Sequence, residues 1–380
     1  MELRVIGIGG AGCRIADALH GAAFSGKPFI ETTFAFDTDS EDLIALGELP
    51  ETRRIRYAPA VENGLNGDLE QGASVGDQAV GELSRKLDDG QPSTVDAFLI
   101  VIGFGGATGG GTAPALIKNL QTLYDKPVYV LGTVPAERDE NLELTQPDAT
   151  GGQSPPTTSE DQRLAETNAL QTLESLEGVA DAIICVDNES WLGHAETLTA
   201  GRDRINQAVA TRIAALFAAT GAGTHNQTDA ETVIDANDVS RILGTETGIA
   251  TLGYGTEQIE TDDDSRFGLG LFSTKSSVDA SRAISAVETA IGKALRGKLT
   301  LECERADADR ALLIVGGPPE WLNRTAVADG RAVVESAVGS PTVLSGDAPQ
   351  PDSDCIFAIV LLAGIEPVDR LDEIRSRVDW

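Results

Sequence analysis

The residues best suited to chemistry form a glycine-rich segment in the first third of the chain. Residues 102–114 are Ile-Gly-Phe-Gly-Gly-Ala-Thr-Gly-Gly-Gly-Thr-Ala-Pro, with glycines at 103, 105, 106, 109, 110 and 111. Glycine permits positive φ and a close approach of the backbone to a ligand, because no Cβ intervenes. A helix is expected to start at Thr112, and its free N–H groups would add to the segment's amides. Such a backbone suits an anion, and in particular a di- or triphosphate.

The elements expected around this segment are those that a phosphate site needs. Residues 97–102 are an uninterrupted apolar run of strand length, and residues 115–123 carry apolar side chains at helical spacing. The segment is therefore predicted to be a strand-to-helix turn. The alternative is a flexible glycine-rich loop without a ligand, which the strand before and the helix after disfavour.

A second glycine motif lies at the N-terminus. A buried strand is expected at residues 3–6, followed by Gly7-Ile-Gly-Gly-Ala-Gly12, a helix at 13–19, a strand at 32–36 and then Asp37. A Gly-x-Gly-x-x-Gly turn with an acidic residue about 25 positions downstream is typical of a dinucleotide-binding Rossmann fold. Taken alone, this motif favours NAD.

A third glycine-rich segment, residues 62–76, precedes a helix expected at 77–87. All three segments are predicted to follow strands of one parallel sheet, whose carboxyl ends form the ligand crevice in such folds. Three turns that converge on one crevice suit a nucleoside di- or triphosphate better than the pyrophosphate bridge of NAD. A nucleotide with a phosphate tail is therefore the favoured ligand.

The overall composition excludes several classes of function. The chain has 60 acidic and 29 basic residues, a net charge of −31, and only seven lysines. Such a chain repels nucleic acids and anionic membranes, so nucleic-acid binding is not expected. An acidic, lysine-poor surface fits a cytoplasm with molar salt, where charges are screened over about 3 Å. Four separated cysteines and three histidines form no metal-ligand spacing, and no apolar run is long enough to cross a membrane. A cytoplasmic protein without direct membrane insertion is expected.

The remaining pattern predicts an α/β fold in two parts. A strand is expected at 127–131, and residues 144–161 form a proline- and threonine-rich insertion that is expected to be mobile, either a lid or a surface loop. A helix at 162–176, a strand at 182–186 and a long helix at 201–219 follow. Beyond a break, strands are expected at 248–253, 299–303, 311–315 and 355–362, with helices at 278–295 and 321–338. We predict a Rossmann-like domain with a parallel sheet at 1–200, a central connecting helix at 201–221 and a C-terminal α+β domain at 222–380.

The central glycine segment and three further stretches resemble a known family. Residues 103–111 are similar to the signature Gly-Gly-Gly-Thr-Gly-Ser/Thr-Gly of the tubulin/FtsZ superfamily. The stretches 187–191, 202–217 and 248–254 also find counterparts there. The chain resembles most of all the CetZ group of FtsZ-like proteins from halophilic archaea, which agrees with its acidic composition. The resemblance covers nearly the whole chain.

The resemblance implies a guanine nucleotide, GTP or GDP, with Mg²⁺ accompanying GTP. Asn188 and Asn206 would recognise the base, since an amide can match the donor and acceptor edge of guanine; an exposed structural position is the alternative for Asn206. Glu137 and Asn168 fall where the family contacts ribose and phosphate or base. The other residues implied in nucleotide binding are Gly9, Gly10, Ala11, Gly12, Asp37, Thr38, Gly72, Ala73, Gly76, Gly105, Gly106, Ala107, Thr108, Gly109 and Gly110.

The resemblance also assigns a catalytic role to residues 233–239. In the family this loop carries acidic residues that complete the GTP site of the next subunit, and Asp235 and Asp238 occupy those positions. A carboxylate can orient and polarise a water aimed at the γ-phosphate. The alternative is that these residues cap the following helix. The chain departs from the family pattern at Ala107, at Gly110, which lacks a hydroxyl, and at Val233.

These expectations combine into one function and two alternatives. The favoured function is a cytoskeletal GTPase that assembles head to tail, with itself or with related subunits, in control of cell shape or division. The first alternative is a hydrolysis-deficient nucleotide-binding regulator of related filaments, motivated by Ala107 and Gly110. The second, less favoured, is an NAD-dependent oxidoreductase, motivated by residues 7–12 and Asp37.

Overall fold

The structure, a computed structural model, describes residues 1–22, 28–61, 64–137, 160–220, 232–259, 280–340 and 342–378. Its described strands form one ten-stranded sheet in the order β3-β2-β1-β4-β5-β6-β7-β10-β8-β9. The strands are β1 Leu3–Ile8, β2 Ile30–Asp37, β3 Arg54–Arg56, β4 Ala97–Gly103, β5 Val128–Val134, β6 Ala182–Asp187, β7 Gly248–Gln258, β8 Ala308–Gly317, β9 Val343–Pro349 and β10 Cys355–Ile365. The predicted α/β class with a largely parallel sheet is confirmed.

Helices cover both faces of this sheet. They are α1 Gly9–Gly21, α2 Ser40–Ile44, α3 Leu69–Leu87, α4 Ala107–Leu123, α5 Glu160–Leu176, α6 Asn188–Trp191, α7 Leu198–Ala219, α8 Ala236–Leu243, α9 Ala280–Arg296, α10 Arg324–Val338 and α11 Asp369–Val378. Apolar side chains of α1, α7 and α8 pack on one face, and those of α3, α4, α5, α9, α10 and α11 pack on the other. Successive side chains of a strand point to opposite faces of the sheet, so the strands contribute apolar side chains to both cores.

The first six strands have the order of a dinucleotide-binding sheet. They are all parallel, and β1 lies between β2 and β4. After β1 the chain continues to β2 on one side, and after β4 it continues to β5 on the other side. The two connections therefore leave the carboxyl ends of β1 and β4 in opposite directions. A crevice opens at such a switch point, and ligands of open α/β sheets bind there.

The C-terminal part of the chain continues the same sheet. β7 pairs in parallel with β6 from Ala182 opposite Gly248 to Ile184 opposite Ala250. β10 then runs antiparallel between β7 and β8, and β9 lies parallel to β8 at the edge. Main-chain hydrogen bonds between β6 and β7 thus join the two parts of the chain that were predicted to be separated by residues 201–221. Beyond β7 the sheet contains antiparallel as well as parallel pairs.

The long helix α7 lies along the sheet. Its buried residues Ile205, Val209, Ile213 and Phe217 belong to the core that contains side chains of both β1 and β10. A helix of 22 residues spans roughly 33 Å at 1.5 Å per residue. It therefore extends along the sheet from the carboxyl ends of the first strands to their amino ends.

Four local predictions were wrong. Residues 299–303 form no strand: Leu299 makes a single bridge to Gly253, and the segment is held instead by hydroxyl hydrogen bonds between Thr300 and Thr251. The edge strand β9 and the charged helix α11 were missed, since neither has a strong apolar pattern. α3 begins at Leu69, so residues 69–76 are helical and not part of a loop.

The insertion predicted at residues 144–161 lies, except for its last two residues, outside the described part of the chain. The apolar run near the C-terminus is the buried strand β10, as expected. Among the described helices, none combines the length and the apolar character that a membrane span requires.

Candidate nucleotide site

Helices α1 and α4 begin next to each other at the switch point of the sheet. α1 starts at Gly9 directly after β1, and α4 starts at Ala107 with Gly106 as its N-cap. Neither start has a capping side-chain hydrogen bond, and neither has an acidic residue in its first turn. The first-turn N–H groups and the positive ends of both helix dipoles are therefore available to an anion. Both helices begin earlier than predicted from the sequence, which placed the starts at Cys13 and Thr112.

Several glycines of the central segment allow close packing between elements. None of the six, all of which the structure describes, has a positive φ, so the left-handed backbone that glycine permits does not occur here. A role of the segment in phosphate binding stays a prediction. A Cβ on Gly109 would lie 2.8 Å from the carbonyl oxygen of Ile8, and one on Gly111 would lie 2.3 Å from the carbonyl carbon of Gly72. Only glycine lets α4 approach β1 and α3 this closely.

The two predicted phosphate turns touch each other. Gly9 has φ +74°, and a Cβ there would lie 3.0 Å from the nitrogen of Gly109. Gly12 lies against β4, where a Cβ would meet the carbonyl oxygen of Val101 at 2.1 Å. Gly106, by contrast, is exposed, and a Cβ there would have only the Gly103 carbonyl oxygen nearby, at 3.5 Å. The turns around Gly9 and Gly106 thus form one continuous backbone wall.

The position of Gly110 explains one departure from the family signature. A Cβ at Gly110 would lie 2.2 Å from Oγ1 of Thr172, so a serine or threonine has no room there. The Thr172 hydroxyl, which donates to the carbonyl oxygen of Phe104 at 3.0 Å, fills the space. Ala107, the second departure, is buried at the start of α4.

A slot of about 130 Å³ opens beside these turns. It brings together the two residues predicted to recognise a base, Asn188 on α6 and Asn206 on α7, with Ala11 on α1. Six other residues also line the slot: Arg14, Ile15, Thr133, Leu198, Thr199 and Arg202. The predicted juxtaposition of the two amides is therefore present, and Asn206 lies at the slot rather than on an unrelated face of its helix.

Arg14 was not predicted, although its position one turn after the glycine motif on α1 is a signal. Its Nη1 forms an ion pair of 2.7 Å with Oδ1 of Asp42, and Asp42 lies over Gly10, where a Cβ would be 2.1 Å from the carboxylate. The start of α1 therefore has an acidic group next to it, which the guanidinium of Arg14 partly neutralises. Arg202 also lines the slot.

Asp37 and Thr38 end β2 next to α4. Oδ1 of Asp37 accepts hydrogen bonds from the N–H groups of Thr38 (2.7 Å) and Asp39 (3.1 Å), while Oδ2 is buried and has no hydrogen bond among the described residues. Burial raises the pKa of Asp37 to about 7. The Oγ1 atoms of Thr38 and Thr108 are 3.2 Å apart. Asp37 is only 2% exposed, whereas the acidic residue of an NAD site accepts a hydrogen bond from the ribose.

Glu137 and Asn168 contact different parts of the chain. Glu137 follows β5, and its N–H donates to Oε2 of Glu189 at 3.0 Å, which places it beside Asn188. Asn168 is buried, and its Nδ2 donates to the carbonyl oxygens of Gly67 (2.8 Å) and Gly105 (3.3 Å). The amide of Asn168 thus positions the glycine turn, and a direct contact of either residue with ribose stays a prediction.

The second half of the third glycine segment is helical, because α3 begins at Leu69. Gly72 and Gly76 lie within α3 and face α4: a Cβ on Gly72 would be 2.2 Å from the carbonyl oxygen of Ala107, and one on Gly76 would be 2.6 Å from Cα of Thr112. The expectation of a loop over residues 69–76 was wrong, and a contact of these residues with phosphate stays a prediction. Ala73 is exposed on the same helix.

Asp235 and Asp238 lie at the other end of the sheet. Oδ1 of Asp235 accepts from the N–H of Asp238 at 3.0 Å, and Oδ2 of Asp238 accepts from the N–H of Asp235 at 3.2 Å, a complete capping box at the start of α8. In the same helix, Ser240 accepts a hydrogen bond of 2.9 Å from Tyr129, near the amino end of β5. The capping alternative is therefore confirmed as a structural role, and both carboxylates are remote from the slot of their own chain.

The sheet order and the paired, uncapped helix starts define an α/β protein with an anion-binding crevice at the switch point. Comparison with known families agrees with this class. A model described as "Tubulin/FtsZ family, GTPase domain" matches residues 2–150, and one described as "Tubulin-like CetZ, C-terminal domain" matches residues 195–379. The chain belongs to the tubulin/FtsZ superfamily and, within it, to the CetZ group.

Individual relatives match over nearly the full length. The chain is 35% identical to the tubulin-like protein CetZ5 of Haloferax volcanii, covering 99% of this chain and 91% of that protein, and 30% identical to CetZ1 of the same organism with the same coverage. Among solved structures, the GDP-bound monomer of CetZ1 has a TM-score of 0.80 and 27% identity, covering 100% of this chain and 99% of that one. The GTPgS-bound protofilament of CetZ2 from the same organism has a TM-score of 0.79 and 29% identity, covering 100% and 98%.

Proposed function

We propose that this chain is a cytoskeletal GTPase that binds GTP or GDP in the crevice and assembles head to tail, with copies of itself or with related subunits, in the cytoplasm. The phosphates would lie on the backbone wall of α1 and α4, and the base would enter the slot between Asn188 and Asn206. Two relatives support this assignment, since their solved structures are described as GDP-bound and as a GTPgS-bound protofilament. Control of cell shape or division is the proposed cellular role.

The observation that carries the proposal is the opposite placement of the slot and of Asp235 and Asp238. The slot is at the carboxyl ends of the parallel strands, and α8 with its capping box is at their amino ends. A head-to-tail contact brings the two ends of successive subunits together, and a heterologous contact of this kind propagates into a filament. Hydrolysis would then depend on assembly, with a carboxylate orienting the water from the neighbouring subunit.

Mg²⁺ is proposed to accompany GTP, where it would screen the charge of the phosphates. Hard cations prefer oxygen ligands. The crevice wall offers the paired hydroxyl groups of Thr38 and Thr108 and the buried Oδ2 of Asp37, which has no hydrogen bond among the described residues. These oxygen donors fit such an ion.

A mixing experiment at molar KCl tests hydrolysis in trans. One variant, Asn188→Ala with Asn206→Ala, lacks base recognition but keeps the loop; the other, Asp238→Asn, keeps the site but lacks one carboxylate. Each alone should hydrolyse GTP slowly. In an equimolar mixture about a quarter of the junctions combine an intact site with an intact loop, so about a quarter of the wild-type rate should return.

Two outcomes would contradict the proposal. Full activity of Asp238→Asn alone would remove that residue from catalysis, and no recovery on mixing would exclude a trans contribution. The nucleotide itself is identified by chromatography after denaturation of the purified protein. Release of NAD instead of GTP or GDP would overturn the guanine assignment.

A second candidate function, a nucleotide-binding regulator without hydrolysis, is favoured by the capping box. Both carboxylates already accept main-chain hydrogen bonds from each other's N–H group. In that case the wild-type protein would bind GTP, show no turnover at any protein concentration, and alter the assembly of a related CetZ protein.

A further inference from the structure

The C-terminal helix α11 holds the edge of the base slot with two arginines. Arg370 and Arg377, named here the arginine clamp, lie on the same face of α11, and both donate hydrogen bonds to Oε1 of Glu137. Arg370 also forms an ion pair with Asp187 (3.3 Å), and Arg377 forms one with Glu166 (3.1 Å). One helix of the C-terminal part thereby joins the ends of β5 and β6 to α5.

The ion-pair network of the clamp is partly buried: Arg377 and Glu137 are 28% and 36% exposed, and the other three side chains are much less exposed. The side chains of Arg370, Asp187 and Glu166 are 9%, 8% and 1% exposed. Salt at molar concentration screens exposed charge pairs strongly but buried pairs much less. Removing one partner of a buried pair leaves an uncompensated charge, so the partners constrain one another's positions. The clamp is therefore a fixed part of the structure in the high-salt cytoplasm that the composition indicates.

Glu137, the residue that both arginines share, is linked to two residues that line the slot, without lining it itself. It follows β5, whose Thr133 lines the slot, and its N–H is bonded to Glu189, which adjoins Asn188. Both arginines use Oε1, whereas Oε2 of Glu137 has no hydrogen bond to any residue in the part of the chain that the structure describes. The side chain is 36% exposed. One oxygen of Glu137 is therefore fixed by two arginines, and the other makes no hydrogen bond within the described residues.

The positive charge of the clamp also keeps Glu137 ionised. A lone carboxylate beside a nucleotide would be repelled by the phosphates and would take up a proton more readily. Burial acts to raise the pKa of Glu137, but the hydrogen bonds from Arg377 and Arg370 outweigh it, so the pKa lies below its usual value. Glu137 stays ionised and remains a hydrogen-bond acceptor.

We propose that Arg370 and Arg377 are positioning residues for the nucleoside half of the site: they hold Glu137 so that Oε2 accepts a hydrogen bond from a ribose hydroxyl group. The inference rests on the proposed guanine-nucleotide site and adds a contribution from the C-terminal helix. Because the coupling of two binding events is reciprocal, a bound ribose also strengthens the docking of α11 against β5 and β6.

The test compares GDP with 2′,3′-dideoxy-GDP, which lacks both ribose hydroxyls. The wild-type protein should bind GDP roughly tenfold more tightly, the value of one charge-assisted hydrogen bond. Two changes should each reduce this preference to about twofold or less: Glu137→Gln, and Arg377→Gln combined with Glu166→Gln. The second change leaves no buried carboxylate unpaired and should lower the affinity for GDP more than that for dideoxy-GDP. Arg375→Gln is the matched control, because Arg375 is exposed on the same helix and pairs only with Asp372 among the described residues; it should behave as wild type.

The alternative outcomes are distinct. If the Arg377 variant keeps the wild-type preference, or loses GDP and dideoxy-GDP equally, the clamp has only a structural role and the inference is wrong. If the wild-type protein binds both nucleotides equally, Glu137 makes no ribose contact and the inference is also wrong while the proposed function stands. If the wild-type protein binds neither nucleotide, both the proposed function and this inference are wrong.

Discussion

The hydroxyl groups of Thr38 and Thr108 are 3.2 Å apart and join the end of β2 to the first turn of α4. Thr38 is fully buried, while Thr108 is partly exposed next to Gly106, at the uncapped start of the helix. This pair fixes the position of one phosphate-facing turn relative to the neighbouring strand. It also places a hydroxyl donor where an anion would be bound.

We therefore expect Thr108→Val to weaken the binding of GDP and GTP by about tenfold, because one hydroxyl contact to the phosphates is lost. Thr108→Ser keeps the hydroxyl and should bind within about twofold of the wild type. Equilibrium dialysis with labelled GDP at molar KCl measures both. Equal affinity of the valine and serine variants would show that the Thr108 hydroxyl serves only its bond to Thr38.

Asp37 should give the stability of the nucleotide-free protein a distinctive pH dependence. Burial raises its pKa to about 7, although the N–H groups of Asp39 and Thr38 act against the shift. An unfolded Asp titrates near 4, so between about pH 4 and 7 the folded state binds more protons. The contribution of Asp37 to the free energy of unfolding is thus greatest at low pH and is lost as the pH rises towards 7.

Asp37→Asn removes this titration and keeps an oxygen that can accept from both N–H groups. Relative to the wild type, the variant should gain on the order of 2–4 kcal/mol of stability between pH 4.5 and 8. Urea unfolding of the two proteins at several pH values gives the difference directly, and other carboxyl groups cancel in it. A pH-independent difference would contradict the raised pKa.

The two roles of Asp238 can be separated by one substitution. Asp238→Asn keeps an oxygen that can accept from the N–H of Asp235, so the capping box at α8 should survive and stability should change by less than about 0.5 kcal/mol. Asp238→Ala loses this bond and should cost about 1 kcal/mol. If the carboxylate acts on the γ-phosphate of the next subunit, both variants should reduce GTP turnover by about 100-fold. Wild-type turnover in the asparagine variant would leave only the capping role.

The parts of the fold that were predicted from the sequence are those in which a residue pattern depends on burial alone. Apolar runs located β4 and β10, which have side chains in both cores, and helical spacing located α7, which packs one face on a single core. The amides Asn188 and Asn206 were assigned through family positions, and the slot confirms their proximity.

The parts that were missed depend on contacts between distant segments. The first turns of α3 contain Gly72 and Gly76, which have poor helix propensity, and only packing against α4 makes that stretch helical. α11 has few apolar residues and is held by ion pairs to Glu137, Asp187 and Glu166. No local sequence pattern indicates these ion pairs, because the partners of the α11 arginines lie more than 180 positions earlier in the chain.

The glycines that pack α4 can be distinguished experimentally from those that face the ligand. Gly111→Ala places a Cβ 2.3 Å from the main chain of Gly72, so the helices must separate, and we expect a loss of about 2 kcal/mol or more in stability. Gly106 has ordinary φ and open space around it, so Gly106→Ala should fold normally. Its methyl group would lie at the mouth of the crevice and should weaken GDP binding by about tenfold or more.

Gly81→Ala provides the matched control on α3. A Cβ there meets nothing within 4 Å, so alanine should stabilise the helix by about 0.5–1 kcal/mol and leave nucleotide binding unchanged. Thermal unfolding with and without GDP separates the effects: the Gly111 variant should have a low midpoint in both conditions, and the Gly106 variant should lose only the increase that GDP causes. If Gly106→Ala binds GDP normally, the phosphates do not lie in front of α4, because a ligand held by its first-turn N–H groups cannot share that space with a methyl group.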